Sequence, residues 1–179
     1  YLFILESEAS QAERGALAKD LTVTETYFFR NHEQFSAFVD VVIPARIAAR
    51  PGARTIRILS AGCASGEEPY SLAILVEQEG LAEHASILAT DISRPALTRA
   101  REATYNSWSL RGNASGKAMQ CFDRHGDRLQ LHDRFRRRVD FRYLNLASSN
   151  YPSPGTGTTG IDRILCRNVL IYFDQETVR

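Results

Sequence analysis

The sequence predicts an α/β fold, a mostly parallel sheet with helices on both faces and a small antiparallel insertion. Three observations predict it. From Thr55 onward short apolar strands alternate with amphipathic helical stretches. Residues 57–75, RILSAGCASGEEPYSLAIL, run from a strand through a small-residue turn with Gly62 and Gly66 into a helix. Residues 108–138 break this alternation and carry a hairpin signal at Gly126-Asp127.

The elements follow in order. Residues 6–21 read as an Ala-rich helix with Leu17 and Leu21 one turn apart. The run LTVTETYFFRN comes next. Residues 34–50 read as a helix with Phe35, Phe38, Val39, Val42 and Ile43 on one side, stopped by Arg50-Pro51-Gly52. Residues 55–60 form the first strand. The helix over 67–78 tolerates Pro69 in its first turn and stops at Gly80. A second strand over 86–90 ends at Asp91, and Ser93 caps a helix over 95–104. Third and fourth strands are expected over 139–146 and 162–166, and VLIYFDQETVR begins another helix. Residues 148–160, SSNYPSPGTGTTG, read as a flexible surface loop. A sheet ending at the apolar DRILC strand would expose an edge, so a further strand or a partner is expected to cover it.

Bulk composition excludes several classes. The chain has 179 residues, 44% of them apolar and 24% charged, within the range of soluble globular proteins. Its net charge of +1 gives no global attraction to nucleic acid or membrane. No apolar run is long enough to span a bilayer, and the N-terminal YLFIL is too short for a signal-peptide core. Cys63, Cys121 and Cys166 form no CxxC pair, so no metal site and no disulfide framework is expected, and a cytoplasmic location is the default. His32, His84, His125 and His132 show no ligand spacing.

In an open α/β sheet, ligands sit beyond the carboxyl ends of the strands. Gly62, Gly66, Glu67 and Glu68 arrive there after the first strand, Asp91 after the second, Asn145 and Leu146 after the third, and Asn168 and Val169 after the fourth. Phosphate-binding turns leave the helix N-terminus free for an anion. Here Glu67 and Glu68 occupy it, which favours a ligand with positive charge or hydroxyls. S-adenosylmethionine (SAM), with its ammonium, sulfonium and ribose diol, fits, and Asp91 suits a grip on that diol. Glu67 reads as a first-turn helix charge and Glu68 as the ligand contact. Cys63 reads as a small filler in the turn, and Phe28 and Phe29 as core or lid packing.

SAGCASGEEPYSLA, ATDIS, LNL and ILCRNVLIYF, in that order, resemble the CheR-type chemotaxis receptor methyltransferases, and LTVTETYFFRN resembles the family's LT-x-x-x-T-x-FFR motif. The resemblance runs from Leu21 to the C-terminus. It implies a Rossmann-like SAM-dependent methyltransferase sheet and transfer of a methyl group to glutamate carboxylates of methyl-accepting chemoreceptor helices. It implies SAM contacts at Thr24, Thr26, Arg30, Glu68, Asp91, Asn145, Leu146, Asn168 and Val169, with Gly62 in the cofactor turn. Thr24 stands where relatives often have Asn or Gly. Residues 1–50 are then the remnant of an N-terminal helical domain with its linker. Residues 51–179 are the catalytic domain, with a β insertion at about 108–138 that helps docking on the receptor and with C-terminal strands absent. YNSWSLRG resembles members fused to helical-repeat modules.

The chemistry agrees with these residue types. A glutamate carboxylate is ionised at neutral pH and needs no general base. Carboxylate and sulfonium neutralise each other on the way to ester and thioether, so a site poor in water favours the transition state. A strong ion pair from Arg30 to the nucleophile would stabilise the ground state more, so Arg30 and Tyr172, the candidate catalytic residues, are expected to place the carboxylate. The run from Arg124 to Arg142 holds seven arginines and three acids and reads either as a solvated face or as a docking surface for an acidic helix. Nucleic acid is disfavoured, because aromatic interleaving is sparse and total charge is balanced. Alternatives are a SAM-binding sensor or scaffold without turnover, and a methyltransferase acting on another substrate. The [DN]PP[YF] motif of base-methylating enzymes is replaced here by CRNVLIYF.

Overall fold

A computed structural model of the chain describes residues 25–49, 55–112 and 115–174. The expected helix over 6–21, Thr24, the boundary near residue 50 and residues 175–179 lie outside these.

Four parallel strands form the main sheet: β1 (Ile56–Ala61), β2 (Ala85–Asp91), β6 (Val139–Tyr143) and β7 (Arg163–Leu165). Their spatial order is β6-β2-β1-β7. Ile58 pairs with Ile87 on one side and Arg163 on the other, and Ile87 pairs with Val139. The order reverses between β1 and β7, which opens a crevice beyond their carboxyl ends.

The helical segment ahead of β1 is continuous but not uniform. It runs through α1 (His32–Ala37), a π-helical turn (Phe38–Val42) and α2 (Ile43–Ala48). Pro44 explains the turn. It has no N–H, and its ring crowds the carbonyl four residues back, so the ladder widens and the Ile43 N–H reaches Phe38 O. The helix α3 (Glu67–Gln78) joins β1 to β2, and α4 (Arg94–Glu102) joins β2 onward. Ser93 caps α4, its hydroxyl accepting from the Ala96 N–H.

Helical side chains such as Phe35, Ile43, Leu72, Ile74 and Leu97 pack with Ile56, Ile58, Ile87 and Phe141 into one cluster. The opposite face holds Leu59, Ala61 and Leu88, covered by Leu146, Ile161 and Cys166. The sequence places helices on both faces. Among the described residues the second face is instead covered by the connection from β6 to β7. That connection carries Pro152, Pro154 and three glycines and no helical apolar stripe. Nor is it the loose loop that its composition predicts. Arg57 donates to Gly157 O at 2.8 Å and to Thr159 O, Tyr151 Oη donates to Leu146 O, and the Ser153 N–H donates to the buried Thr158 hydroxyl.

The insertion is a three-stranded antiparallel sheet of β3 (Thr104–Tyr105), β4 (Phe122–His125) and β5 (Arg128–Leu131), ordered β3-β5-β4. The expected hairpin turns at Gly126, which has φ 62°. Several boundaries differ from expectation, and the strand expected over 139–146 ends at Tyr143, where the chain turns out of the sheet toward Asn145. The helix predicted to reach 104 stops at Glu102, because Ala103 turns left-handed at φ 50° and Thr104 starts β3. A short helix, α5 (Ser115–Met119), precedes β4, and α6 (Asp133–Arg136) follows β5. Beyond β7, VLIYFDQETVR shows a 3-10 turn (Leu170–Tyr172) where a helix was expected to begin.

Candidate functional site

Two glycines shape the crevice. Gly62 follows β1 at φ +75°, and a Cβ there would lie 2.3 Å from Val169 Cγ2, beyond β7. Only a residue without a side chain lets the two strand ends meet this closely. Gly66 sits at φ +94° as the N-cap of α3, with a built Cβ 3.0 Å from Ala100 Cβ of α4. It sets the closeness of the two helices.

The turn between them is pinned to β2. The Gly62 and Cys63 N–H groups both donate to Thr90 O, at 2.8 and 3.0 Å. Asp91 Oδ2 accepts from the Ala64 N–H and Oδ1 from the Ser93 N–H, each at 2.8 Å. Burial raises the Asp91 carboxyl, while these backbone N–H groups pull the other way.

The two acids at the start of α3 separate cleanly. Glu67 points inward and is 3% exposed. Its carboxylate accepts from the Ser65 hydroxyl at 2.7 Å and the Ser109 hydroxyl at 3.0 Å. It is therefore the first-turn acid that its position predicts, and it also serves as a buried internal acceptor. Glu68, one residue on, faces the crevice. Its Oε1 accepts from Ser60 Oγ of β1 at 2.7 Å, and its Oε2 lies 3.4 Å from Arg167 Nη1. Burial raises both carboxyls, opposed at Glu68 by Ser60, Arg167 and Arg30.

The segment 25–31 closes the crevice from the side. Phe28 is core, edge-on to Tyr105 and Phe122 at 4.9 and 5.1 Å, and it ties this segment to the insertion. The Phe28 N–H donates to Ser109 O, and the Phe29 N–H to Ser71 Oγ. Phe29 and Asn31 take left-handed φ of 57° and 58°. Strained residues of this kind cluster where surroundings hold them for a purpose. Arg30 Nη1 donates to Glu25 O at 2.9 Å, and Arg111 is sandwiched between the rings of Tyr27 and Trp108 at 4.3 and 4.4 Å.

The result is one cleft of about 450 Å³. Thr26, Arg30, Gly62, Glu68, Asp91, Asn145, Leu146, Asn168, Val169 and Tyr172 all line it, so every predicted site residue except the undescribed Thr24 meets in one place. Asn168 takes a left-handed φ of 57°. Asn145 Oδ1 accepts from the Ala147 N–H at 2.9 Å, which shapes its own loop. Tyr172 is 57% exposed, at the rim.

Sequence reasoning missed Arg167. It lies in the cleft wall, its guanidinium 4.8 Å over the Phe35 ring and donating to Arg30 O. Its only signal was a cation flanking the fourth strand end. The basic run also differs from its appearance in sequence. Arg136 and Arg137 pair with Asp133, Arg138 with Glu77 and Glu83, and Arg142 with Asp140. Much of its charge is thus compensated locally. Among the described residues no cluster of His, Cys, Asp or Glu is placed to hold a metal ion, and the three cysteines are free.

A parallel sheet ordered β6-β2-β1-β7, with an acid-lined cleft at its switch point, defines a Rossmann-like methyltransferase fold. The profile of the CheR methyltransferase, SAM binding domain family matches residues 24–179, and the chain belongs to this family. The probable biofilm formation methyltransferase WspC of Pseudomonas putida is 36% identical over 174 residues, 97% of this chain and 40% of that one. Chemotaxis protein methyltransferase 1 of Pseudomonas aeruginosa is 37% identical over 181 residues, covering 94% and 64%. The chemotaxis protein methyltransferase of Listeria monocytogenes is 35% identical over 156 residues, covering 87% and 56%. The chain thus spans about 40 to 64% of the length of these relatives. Among solved structures, a magnesium protoporphyrin IX methyltransferase from Synechocystis PCC 6803 with bound SAH aligns at TM-score 0.35 and 18% identity, covering 97% of this chain and 61% of that one. That likeness is too slight to bear on function.

Proposed function

We propose that this chain is the SAM-binding catalytic part of a protein-glutamate O-methyltransferase. Its substrates are glutamate side chains on cytoplasmic helices of methyl-accepting, chemoreceptor-type proteins. The observation that carries this reading is the pairing of Glu68 and Asp91 in one cleft at the switch point, in a chain of this family. Two carboxylates beside a glycine-opened turn suit a cofactor with a cationic methionine end and a ribose diol, and repel a pyrophosphate.

The residues present fit SAM. Glu68, largely buried and aimed into the cleft, receives its ammonium. Asp91, whose two oxygens each take one backbone N–H, keeps lone pairs for the ribose hydroxyls. Gly62, Val169, Asn168, Asn145 and Leu146 form the walls, and Thr26 and Arg30 close the side. When bound, SAM supplies a methyl group on a sulfonium. The chain's own contribution is placement and exclusion of water. Arg30 and Tyr172 at the rim hold the incoming carboxylate in line, and Phe35, Ile92 and Leu144 keep the cleft floor apolar.

We place the protein in the cytoplasm, beside the receptor helices it would methylate. Among the described residues no helix is long and apolar enough to cross a membrane. We infer further that helical-repeat modules act together with this domain, a reading supported by the resemblance of YNSWSLRG to members fused to such modules.

The test is to incubate the full-length protein with methyl-labelled SAM and membranes holding its candidate receptors, then treat with alkali. A carboxyl methyl ester releases volatile methanol. Label that stays on the receptor after alkali contradicts the ester reading, and SAM binding without transfer supports the sensor instead.

A further inference from the structure

Glu68 is the group whose state matters most in the cleft, and it does not stand alone. Two cations face it: Arg167, beyond β7, and Arg30, on the segment that closes the cleft. The Ser60 hydroxyl of β1 donates to it, and the thiols of Cys63 in the turn and Cys166 at the end of β7 lie within its field. Arg167 is the nearer cation and is anchored from three sides. Its guanidinium lies over the Phe35 ring of α1, donates to Arg30 O, and sits 3.4 Å from Glu68 Oε2. The side chains of Arg167 and Glu68 are 15% and 14% exposed, so water screens the pair little. At 3.4 Å the contact is long for a charge-assisted hydrogen bond. It lends charge to Glu68 without closing off the oxygen.

We propose that Arg167 is the positioning residue of the cofactor pocket: it keeps the Glu68 carboxylate ionised and aimed into the cleft, ready for a cationic ligand. This rests on the reading of the cleft as a SAM site. A carboxylate taken out of water with no cation beside it picks up a proton, and a neutral carboxyl loses its attraction for an ammonium. Phe35 and the Arg30 carbonyl hold the guanidinium through contacts that involve no ligand. The charge is therefore present before the ligand arrives.

The experiment is a titration of SAM into the full-length protein from mildly acidic to mildly basic pH. It is repeated for Arg167→Ala and Arg167→Lys, and for Arg167→Ala in a Glu68→Gln background. Affinity of the parent should fall as pH falls and Glu68 takes up its proton. In Arg167→Ala that fall should begin at a higher pH, and Arg167→Lys should restore most of the parent profile. With Gln at 68 there is nothing to protonate, and Arg167→Ala should leave the profile where it was. Should Arg167→Ala not fold, Arg167→Gln removes the charge and serves the same comparison. An equal loss of affinity at every pH, or the same displacement in the Glu68→Gln background, overturns the role of Arg167 and leaves the SAM site standing. A parent protein that binds no SAM at any pH overturns the reading of the cleft itself.

Discussion

The two walls of the cleft are built differently. The inner wall, formed by the β1 turn, Glu68 and Asp91, is locked. Gly62 touches Val169, Thr90 O takes two turn N–H groups, and both Asp91 oxygens are bonded to backbone. The outer rim is open. Leu170, Ile171 and Tyr172 are all exposed, and they sit on a single 3-10 turn. A pre-formed inner wall beside an open rim suits the proposed transfer, in which one ligand is held in a fixed pose and the other is admitted from outside. Changes to the inner wall should cost stability and SAM affinity together. Changes at the rim should cost turnover alone.

The harshest way to break the inner wall is Gly62→Ala. The left-handed backbone and the 2.3 Å approach to Val169 act together. The expected loss is about 2–4 kcal/mol of stability, read by denaturant unfolding, with SAM binding lost. Val169→Ala should recover part of that loss in the double variant by removing the clash and not the backbone strain. No recovery would mean that strain alone carries the cost.

Asp91→Ala comes next. It leaves the Ala64 and Ser93 N–H groups without their acceptor. SAM affinity should fall by about tenfold to a hundredfold, in line with the roughly 1.5–3 kcal/mol of a charged hydrogen bond. Calorimetric titration checks it. Equal affinity in variant and parent would remove Asp91 from the ribose.

A smaller effect concerns pH. Burial raises the carboxyls of Glu67, Glu68 and Asp91, so the folded chain keeps protons that the unfolded chain has released. The stability these protonated groups contribute is fully present below the ordinary carboxyl range, about pH 4. It is lost as pH rises through the raised values. With Glu68 as the proposed partner of the SAM ammonium, affinity should rise across the same window as Glu68 ionises. Thermal melts with and without SAM should show the ligand-induced increase in Tm growing with pH. Glu67→Gln, away from the cleft, should flatten the ligand-free pH dependence and leave the SAM profile in place.

The smallest expected effect is at the surface. Arg137 is 80% exposed and 3.6 Å from Asp133. Arg137→Ala should change stability by less than about 0.5 kcal/mol.

Much of this was legible in the sequence because strand ends announce themselves. Glycines, an Asp and Asn pairs closing apolar runs mark the carboxyl edge of a parallel sheet, and they met in one cleft. What was not legible depended on distant partners. Glu67 and Glu68 are adjacent and chemically identical, and only the positions of Ser109 and Arg167 separate their roles. Arg167 reads as a loop cation until Phe35 and Arg30 arrive from the other end of the chain. The 148–160 segment carries the composition of a loose loop, yet Arg57 ties it to the sheet. The π-helical turn did have a local sign, Pro44, inside an otherwise regular helical stripe.

The contrast between wall and rim is tested most directly by measuring SAM affinity and alkali-released methanol side by side for Asp91→Ala and Tyr172→Phe in the full-length protein. Asp91→Ala should lose affinity. Tyr172→Phe should bind SAM as the parent does and release several-fold less methanol. A Tyr172→Phe protein that loses SAM affinity as Asp91→Ala does, or that turns over at the parent rate, would contradict the division of the cleft into a cofactor wall and an acceptor rim.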